Sequence, residues 1–225
     1  MVTTGLSGRD VLVFGATGAL GAGLASMFAS AHAHVRGADQ AAPPEERRLA
    51  GVTYEVVDAL DDEALGKLFA AAEPPWAVVN AIGGFAPPRP ITELDAAELA
   101  GQLQLNLVTA ALITKHALRA MRPAGQGRIV HTASRSATVT KGSGFAYSVS
   151  KQGVLHLVAM AADEVRGSGI TVNCVVPSII DTPANRAALP DADHDSWPKI
   201  HEVAISYLYL ASPDAGLVNG AAITV

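Results

Sequence analysis

The chain has 225 residues, of which 49% are hydrophobic and 16% are charged, and its formal net charge is -5. This length suits one well-buried domain, and we expect residues 1–225 to form a single domain. Its mildly acidic charge, with scattered Arg and Lys, argues against nucleic acid or an anionic membrane as a partner. Cys174 is the single cysteine and lies in an apolar run, so we expect a buried, inert thiol and a reducing cytoplasm.

The first elements in chain order are a strand, a glycine-rich turn and a helix. Val11–Phe14 is a short apolar run, Gly15, Gly18 and Gly21 follow it, and a helical apolar pattern begins at Leu20. Glycine allows a sharp turn and the close approach of a pyrophosphate, and the N–H groups at a helix start can face an anion. We therefore expect a dinucleotide site here. The alternative is a packed strand–helix corner that needs small residues.

The same stretch has a second possible interpretation. No Asp, Glu, Lys or Arg occurs between Asp10 and Arg36, so a membrane span or a signal peptide would be possible by length alone. The closely spaced glycines favour a turn instead, and we expect no membrane segment here.

Strand-like and helix-like segments alternate along the rest of the chain, which predicts a parallel sheet covered on both faces by helices. Asp61 is expected to cap the helix that begins at Asp62, and Thr92 with Asp95 resembles a capping box that opens another helix. Further strands are predicted at 34–38, 52–57, 76–80, 128–132, 170–176 and 221–225, and helices at 62–72, 99–121, 146–166 and 201–211.

A long segment without regular pattern, Ser178–Lys199, interrupts this alternation. Loops of this length inside a compact domain are usually functional lids or disordered segments. Leu189 and Trp197 favour the first alternative, because a merely solvated loop has little reason to carry them. We expect a substrate lid.

Three side chains could perform acid–base chemistry. Tyr147 and Lys151 lie four residues apart on a predicted helix and so share a face. An ammonium group there would lower the pKa of the phenol and make Tyr147 a general acid/base near neutral pH. Ser134 ends the preceding strand, where ligands gather in open α/β sheets. Taken alone, the Tyr–Lys pair also fits an ordinary helix surface.

Other site types lack their required residues. His32 and His34 have no evident third metal ligand. Asp191, Asp193 and Asp195 alternate, but the glycine and the distant glutamate of a calcium loop are missing. No Gly-x-Ser-x-Gly motif is present, so a serine hydrolase is not favoured. We expect no metal site.

Together, the motifs resemble those of the short-chain dehydrogenase/reductase family over essentially the whole chain. Gly15-Ala-Thr-Gly-Ala-Leu-Gly21 resembles the cofactor loop of the family, although Ala19 replaces a middle glycine, and Asn80-Ala-Ile-Gly83 resembles the segment after the fourth strand. Ser134, Tyr147 and Lys151 match the catalytic spacing, and Asn106 matches the helix asparagine that completes the tetrad. Val176-Pro-Ser-Ile-Ile-Asp-Thr182 resembles the segment that closes over the nicotinamide.

The resemblance implies a Rossmann-type doubly wound parallel sheet of about seven strands and an NAD(P)-dependent oxidoreductase acting on a small carbonyl or alcohol. Tyr147 would exchange the proton with the substrate oxygen, which Ser134 would orient. Lys151 would hold the nicotinamide ribose, and Asn106 would hold a water that links Lys151 to solvent. The implied cofactor contacts are Gly15, Thr17, Gly18, Ala19, Leu20, Gly21, Asp39, Asp58, Asn80, Ala81, Gly83, Tyr147, Lys151, Pro177, Ile180 and Thr182.

Two other functions remain as alternatives. Gly83-Gly-Phe85 and Asp181-Thr-Pro-Ala-Asn-Arg186 resemble the dihydropteridine reductase branch, which reduces quinonoid dihydropterin with NADH but lacks the serine and the helix asparagine of the tetrad. Both residues are present here as Ser134 and Asn106. The second alternative is a non-catalytic dinucleotide sensor on the same fold.

Cofactor choice and assembly are also predicted. Asp39 ends the second strand, where a carboxylate can accept hydrogen bonds from ribose hydroxyls and repel a 2′-phosphate. We therefore expect NADH to be preferred over NADPH, with NADP as the alternative cofactor and Arg36 as the residue that argues for it. The helices at 99–121 and 146–166 are apolar on more than one side. The resemblance implies a homodimer, or a homotetramer, through these helices.

Overall fold

A computed structural model of the protein describes residues 5–85, 88–139 and 144–225. Within these residues, seven parallel strands form one sheet in the order β3-β2-β1-β4-β5-β6-β7. The strands are β1 (Asp10–Phe14), β2 (His34–Asp39), β3 (Val52–Val56), β4 (Ala77–Asn80), β5 (Gly127–Thr132), β6 (Ile170–Val176) and β7 (Ala222–Thr224). The predicted strands are all present, and their ends differ from the prediction by one residue at most.

Seven α-helices accompany these strands in the described part of the chain. They are α1 (Ala19–Ser30), α2 (Asp62–Ala70), α3 (Ala96–Gln102), α4 (Thr109–Met121), α5 (Phe145–Glu164), α6 (Pro183–Ala188) and α7 (Ile200–Ala211). A π-helical stretch, Leu103–Val108, joins α3 to α4. The stretch without charges near the N-terminus is therefore β1, α1 and the start of β2, and not a membrane span.

Helices pack on both faces of the sheet, because the strand side chains alternate between two apolar cores. Leu12 and Phe14 of β1 face the core that includes α2, α4 and α5. Val11 and Val13 face the core that includes α1 and α7. This alternation confirms the doubly wound architecture that the sequence predicts.

Three predicted helix features differ in the structure. The predicted helix at 99–121 is not one continuous α-helix, because α3, the π-helical stretch and α4 follow one another there. Thr92 lies in a short 3₁₀ turn, and the helix begins only at Ala96, because Asp95 accepts the hydrogen bond from the Ala97 N–H and acts as the cap itself. The Ser178–Lys199 segment is not wholly loop, because it contains α6, which Thr182 caps. The Asp61 cap of α2 is confirmed, since its carboxylate accepts from the backbone of Glu63 and Ala64.

The strand order places a crevice at the carboxyl edge of the sheet. After β1 the chain continues outward through β2 and β3, and then returns to pair β4 on the other side of β1. The loops that follow β1 and β4 therefore diverge, and ligands bind at such a switch point in open α/β sheets.

Candidate active site

The turn between β1 and α1 requires glycine at two positions. Gly15 has a φ of +75°, and a Cβ there would lie 2.9 Å from the Ile82 nitrogen. A Cβ on Gly21 would lie 2.0 Å from the Gly15 carbonyl oxygen. The first helical hydrogen bond is donated by Ala22 to Gly18, so the N–H groups of the first residues of α1 have no acceptor within the helix. The N–H groups at the start of this helix can therefore donate hydrogen bonds to a bound anion.

A cavity of about 300 Å³ lies beside this turn. Seven predicted cofactor residues line it: Gly15, Thr17, Gly18, Asp39, Asp58, Ala81 and Gly83. Ala19, Leu20 and Gly21 form the first turn of α1 next to it. Sequence analysis missed the other lining residues: Phe14, Ala38, Gln40, Val57, Ala59, Leu60, Ile82, Leu105 and Thr109. Most of these are apolar residues at strand ends, which carry no chemical signal of their own.

Asp39 lies at the end of β2 with its carboxylate in this cavity. One oxygen accepts hydrogen bonds from the Thr17 N–H at 3.0 Å and from the Thr17 hydroxyl at 2.7 Å. The other accepts from the Gln40 N–H at 2.8 Å. Arg36 points away, since its guanidinium pairs with Asp10 at 3.0 Å. The charge at this end of the cavity is therefore negative, as the strand alternation predicts.

Ser134, Tyr147 and Lys151 converge at the carboxyl edge of β5. Ser134 lies two residues after the end of this strand, and the Arg135 N–H donates to the Pro177 carbonyl at 3.0 Å. Tyr147 lies in the first turn of α5, close enough to Ser134 for a hydrogen bond that acts to lower the Tyr147 pKa. Lys151 lies one turn later and donates to the Thr132 carbonyl at 2.9 Å. Ser134 itself accepts from the N–H and the hydroxyl of Ser136.

The pKa of Tyr147 differs from the expectation. Burial raises the pKa of Tyr147 above 10, and the Ser134 hydrogen bond offsets this only in part. Burial lowers the pKa of Lys151 to about 8. The predicted lowering of the Tyr147 pKa by Lys151 is therefore not found, because desolvation raises this pKa and the Lys151 ammonium group donates to the Thr132 carbonyl instead.

Asn106 is buried in the π-helical stretch, and its side chain contacts several protein groups. Its oxygen accepts from the Gly84 N–H at 3.2 Å, and its nitrogen donates to the Gly84 carbonyl at 3.2 Å. The nitrogen also lies 2.9 Å from the Gln102 side-chain oxygen and 3.1 Å from the Ser150 hydroxyl. Asn106 thus holds the backbone after β4, and its role in holding a water stays a prediction.

Phe85, just after this clamped backbone, packs against Tyr147. The two rings are edge to face at a centroid distance of 5.3 Å, and Phe85 is 59% exposed. An exposed aromatic ring therefore lies directly against Tyr147 in the candidate active site. The sequence identified Phe85 only through a motif resemblance and gave no chemical reason for its placement.

The segment that follows β6 contains the remaining predicted cofactor contacts. Pro177 lies beside Ser134 through the backbone hydrogen bond described above, Ile180 is buried against the α1–α7 core, and the Thr182 hydroxyl accepts from the Asn185 N–H. None of the three lines the cavity beside the glycine turn. Cys174 is fully buried, and burial raises the pKa of its thiol to about 12, which confirms the prediction of an inert thiol.

Comparison with known proteins gives the same picture. The family described as enoyl-(acyl carrier protein) reductase matches residues 15–225. The chain is 32% identical to cis-4-hydroxycyclohexanecarboxylate dehydrogenase of Sinomonas cyclohexanicum, over 96% of this chain and 94% of that protein. A short-chain type dehydrogenase/reductase from Mycobacterium ulcerans superposes with a TM-score of 0.90 at 27% identity, covering 98% of this chain and 89% of that chain.

A second solved structure contains a bound cofactor. It is a putative NAD(P)-dependent gluconate 5-dehydrogenase from Beutenbergia cavernae with bound NADP, with a TM-score of 0.88 at 25% identity, covering 99% of this chain and 96% of that chain. The glycine turn, the cavity, the Ser–Tyr–Lys arrangement and these relatives agree. The chain therefore belongs to the short-chain dehydrogenase/reductase family of NAD(P)-dependent oxidoreductases, which act on alcohols and carbonyl compounds.

Proposed function

We propose that this enzyme transfers a hydride between NAD(H) and a small secondary alcohol or its ketone, with Tyr147 as the general acid/base. The observation that carries the proposal is the convergence of Ser134, Tyr147 and Lys151, with the Lys151 nitrogen next to Gly83, which lines the cavity at the glycine turn. In the reduction direction the substrate carbon gains a hydride and the substrate oxygen gains a proton. Tyr147 supplies that proton.

The residues around the cavity fit a dinucleotide. The backbone of Gly15 and Gly21 leaves no room for side chains, and the unpaired N–H groups at the start of α1 suit a pyrophosphate. Asp39 would accept from the adenosine ribose, and Lys151 keeps two N–H donors for the second ribose after its bond to Thr132. The nicotinamide supplies the hydride, which no side chain can supply.

The ionisation of the site supports reduction at neutral pH. Because burial raises the pKa of Tyr147, the phenol carries its proton and can donate it as the substrate oxygen gains charge. Because the pKa of Lys151 is about 8, the ammonium form still predominates at pH 7. The Ser134 hydroxyl is placed to donate a second hydrogen bond to the same oxygen.

The substrate that the site supports best is a ring-bearing or otherwise apolar secondary alcohol or ketone. Phe85 lies edge-on against Tyr147 and is exposed, so it offers an apolar wall beside the reacting oxygen. The similar protein from Sinomonas cyclohexanicum acts, by its name, on a hydroxycyclohexane ring. We extend this substrate class, and a cytoplasmic location, to the present chain as part of the proposal.

The decisive experiment measures NADH-dependent reduction of cyclohexanone and of quinonoid dihydropterin by the parent enzyme and three variants. Tyr147→Phe should lower kcat/KM for cyclohexanone about 10²- to 10⁴-fold, because the proton donor is lost. Ser134→Ala should lower it about 10²- to 10³-fold, the usual effect of one lost hydrogen-bond donor to a developing oxyanion. Tyr209→Phe, on the exposed side of α7, is the matched control and should retain full activity.

The same assay separates the alternative functions. If pterin is the faster substrate and Ser134→Ala leaves turnover unchanged, the enzyme is a dihydropteridine reductase. If NADH binds but neither substrate is reduced and other carbonyls are also inert, the protein is a dinucleotide sensor.

A further inference from the structure

Three buried side chains connect two backbone groups on the face of the sheet covered by α4. The Thr114 hydroxyl lies 2.7 Å from the Ala110 carbonyl and 2.8 Å from Nε2 of His131. Nδ1 of His131 lies 3.2 Å from the Asn80 side-chain nitrogen. The Asn80 side-chain oxygen accepts from the Ile82 N–H at 3.0 Å. His131 and Asn80 are cross-strand partners on β5 and β4.

The positions of the protons in this chain follow from its two ends. Thr114 has one hydroxyl proton, and the Ala110 carbonyl can only accept, so Thr114 donates to Ala110 and must accept from Nε2 of His131. The Ile82 N–H donates to the Asn80 side-chain oxygen and thereby holds that oxygen toward Ile82. The side-chain N–H group of Asn80 therefore faces His131. His131 is therefore a neutral imidazole with its proton on Nε2. It is fully buried, and every polar atom of its ring has a partner.

A second hydrogen-bonded pair holds the same strands from the opposite face. The Thr132 hydroxyl donates to the Asn80 carbonyl at 2.7 Å. It also lies 2.7 Å from the Tyr207 hydroxyl, and since its only proton is used, Tyr207 must be the donor. Tyr207 is a fully buried residue of α7. Asn80 is thus held through its side chain on one face and through its carbonyl on the other.

The backbone fixed in this way forms part of the site. Ala81, Ile82 and Gly83 line the cavity beside the glycine turn. The Thr132 carbonyl, on the same residue that Tyr207 contacts, accepts from Lys151. A Cβ on Gly83 would lie 2.8 Å from the Lys151 nitrogen, so a small shift of this backbone would change the space around the ammonium group.

We propose that His131 and Tyr207 are positioning residues, which hold the Asn80–Gly83 backbone and the Thr132 carbonyl so that the dinucleotide and the Lys151 ammonium group keep their relative places. Neither touches the substrate. The kinetic part of this proposal rests on the proposed function, whereas its structural part does not. A purely stabilising role would change the unfolding temperature alone.

The first test examines His131 by ¹⁵N NMR at pH 7, where the two nitrogen shifts identify the tautomer. The expected result is a neutral ring with the proton on Nε2; a protonated ring or the Nδ1–H tautomer would overturn the proposal. Two variants follow. His131→Asn keeps an acceptor for Asn80, and His131→Leu removes it and leaves the Asn80 N–H unsatisfied. We expect the dissociation constant for NADH to rise ~10- to 100-fold in His131→Leu and clearly less in His131→Asn, the usual effect of an orphaned buried donor.

The second test uses Tyr207→Phe, which deletes one hydroxyl and keeps the packing. The NADH dissociation constant should rise ~3- to 10-fold, as expected for one neutral hydrogen bond, and amide hydrogen exchange should accelerate at residues 81–84. Tyr209→Phe on the same helix is the matched control and should change neither quantity. If Tyr207→Phe lowers the unfolding temperature but leaves NADH binding and exchange at 81–84 unchanged, the positioning role is wrong.

These measurements separate the two proposals. A parent protein that binds NADH but reduces no carbonyl contradicts the proposed function. The NADH dissociation constant and the amide hydrogen exchange at residues 81–84 still test the positioning role in that case. A parent protein that reduces carbonyls while the His131 and Tyr207 variants bind NADH normally contradicts the positioning role alone.

Discussion

Asp39 is the residue on which the predicted cofactor preference rests. Its carboxylate is fixed by Thr17 and Gln40 at the end of β2, and the nearby Arg36 is occupied by Asp10. Within residues 5–85, 88–139 and 144–225, Asp39 forms no ion pair that could neutralise it. A 2′-phosphate would approach this negative charge directly.

We therefore expect NADH to bind about tenfold or more tightly than NADPH, since two like charges at close range cost about 1 kcal/mol or more. Asp39→Asn should reduce this preference. Asp58→Asn, which removes a second carboxylate from the same cavity, is the matched control and should largely preserve it. Isothermal titration of both dinucleotides provides the measurement, and equal or tighter binding of NADPH to the parent protein would contradict the assignment.

His131 makes the stability of the fold depend on pH. Burial and the nearby Lys151 charge lower the pKa of His131 to about 4, against about 6.5 in an unfolded chain. The unfolded state therefore binds more protons than the folded state as the pH falls from 6.5 to 4. The contribution of neutral His131 to the free energy of unfolding is present above pH 6.5 and is lost as the pH falls toward 4, by about 3 kcal/mol in total.

Urea unfolding of the parent and of His131→Asn should show a shallower pH dependence in the variant. The exposed His156→Asn serves as the control, and parallel curves for parent and His131→Asn would refute the prediction.

At the scale of elements, the segment around α6 is fastened at both ends by one carboxylate. Asp181 accepts from Arg186 at 2.5 and 2.9 Å and from Lys199 at 2.7 Å. Its own N–H donates to the Pro198 carbonyl at 2.9 Å. These bonds hold the pKa of Asp181 well below its usual range. Trp197 is buried and packs on His194 at 4.6 Å, so the predicted lid has internal packing as well as this fastening.

Removing the carboxylate should loosen this segment without unfolding the sheet. We expect Asp181→Ala to raise the rate of proteolytic cleavage within residues 183–196 about tenfold, because the segment loses the hydrogen bonds from Arg186 and Lys199 that hold it closed to local opening. The KM for the ketone should rise in parallel if the segment is a substrate lid. Asp191→Ala, in the same segment, is the control and should be cleaved at the parent rate. Unchanged cleavage of Asp181→Ala would show that this carboxylate does not fasten the segment.

At the scale of the whole molecule, the outer faces of α4 and α5 remain uncovered. Ile113 and Val158 point into the core, whereas Met160 is 61% exposed. A groove lined by both helices, including Leu118 and Leu157, lies between them. Apolar helices with an uncovered side favour a further partner, and we propose the homodimer that the sequence analysis predicts.

The assembly can be tested by light scattering at micromolar concentration. The parent should be a dimer or tetramer, and Met160→Asp should dissociate the α4–α5 contact, because it places a charge in an apolar interface. Ile205→Asp is the matched control, since Ile205 on α7 is equally exposed. It should leave the assembly unchanged. A monomeric parent protein would contradict the proposal.

The sequence by itself determined the order of the strands and main helices, the parallel sheet and the candidate acid–base residues. Apolar runs and their period predict strands and helices because burial is local in these elements, as for β6, which is predicted without error. The glycine turn was also predictable, because the φ of Gly15 and the contact at Gly21 exclude other residues. Their spacing in the sequence identified Ser134, Tyr147 and Lys151, because a strand followed by a helix brings residues at this spacing close together.

Only the tertiary structure decided the ionisation and the hydrogen-bond partners of these residues. The pKa of Tyr147 depends on its desolvation, and the engagement of Asn106 depends on Gly84, which is 22 residues away in the chain. His131 and Tyr207 gave no signal, because a polar residue in a strand or an aromatic residue in a helix does not reveal its partner. Burial and partners separated in sequence are properties of the packed molecule, and they determine which polar group is charged, satisfied or available for chemistry.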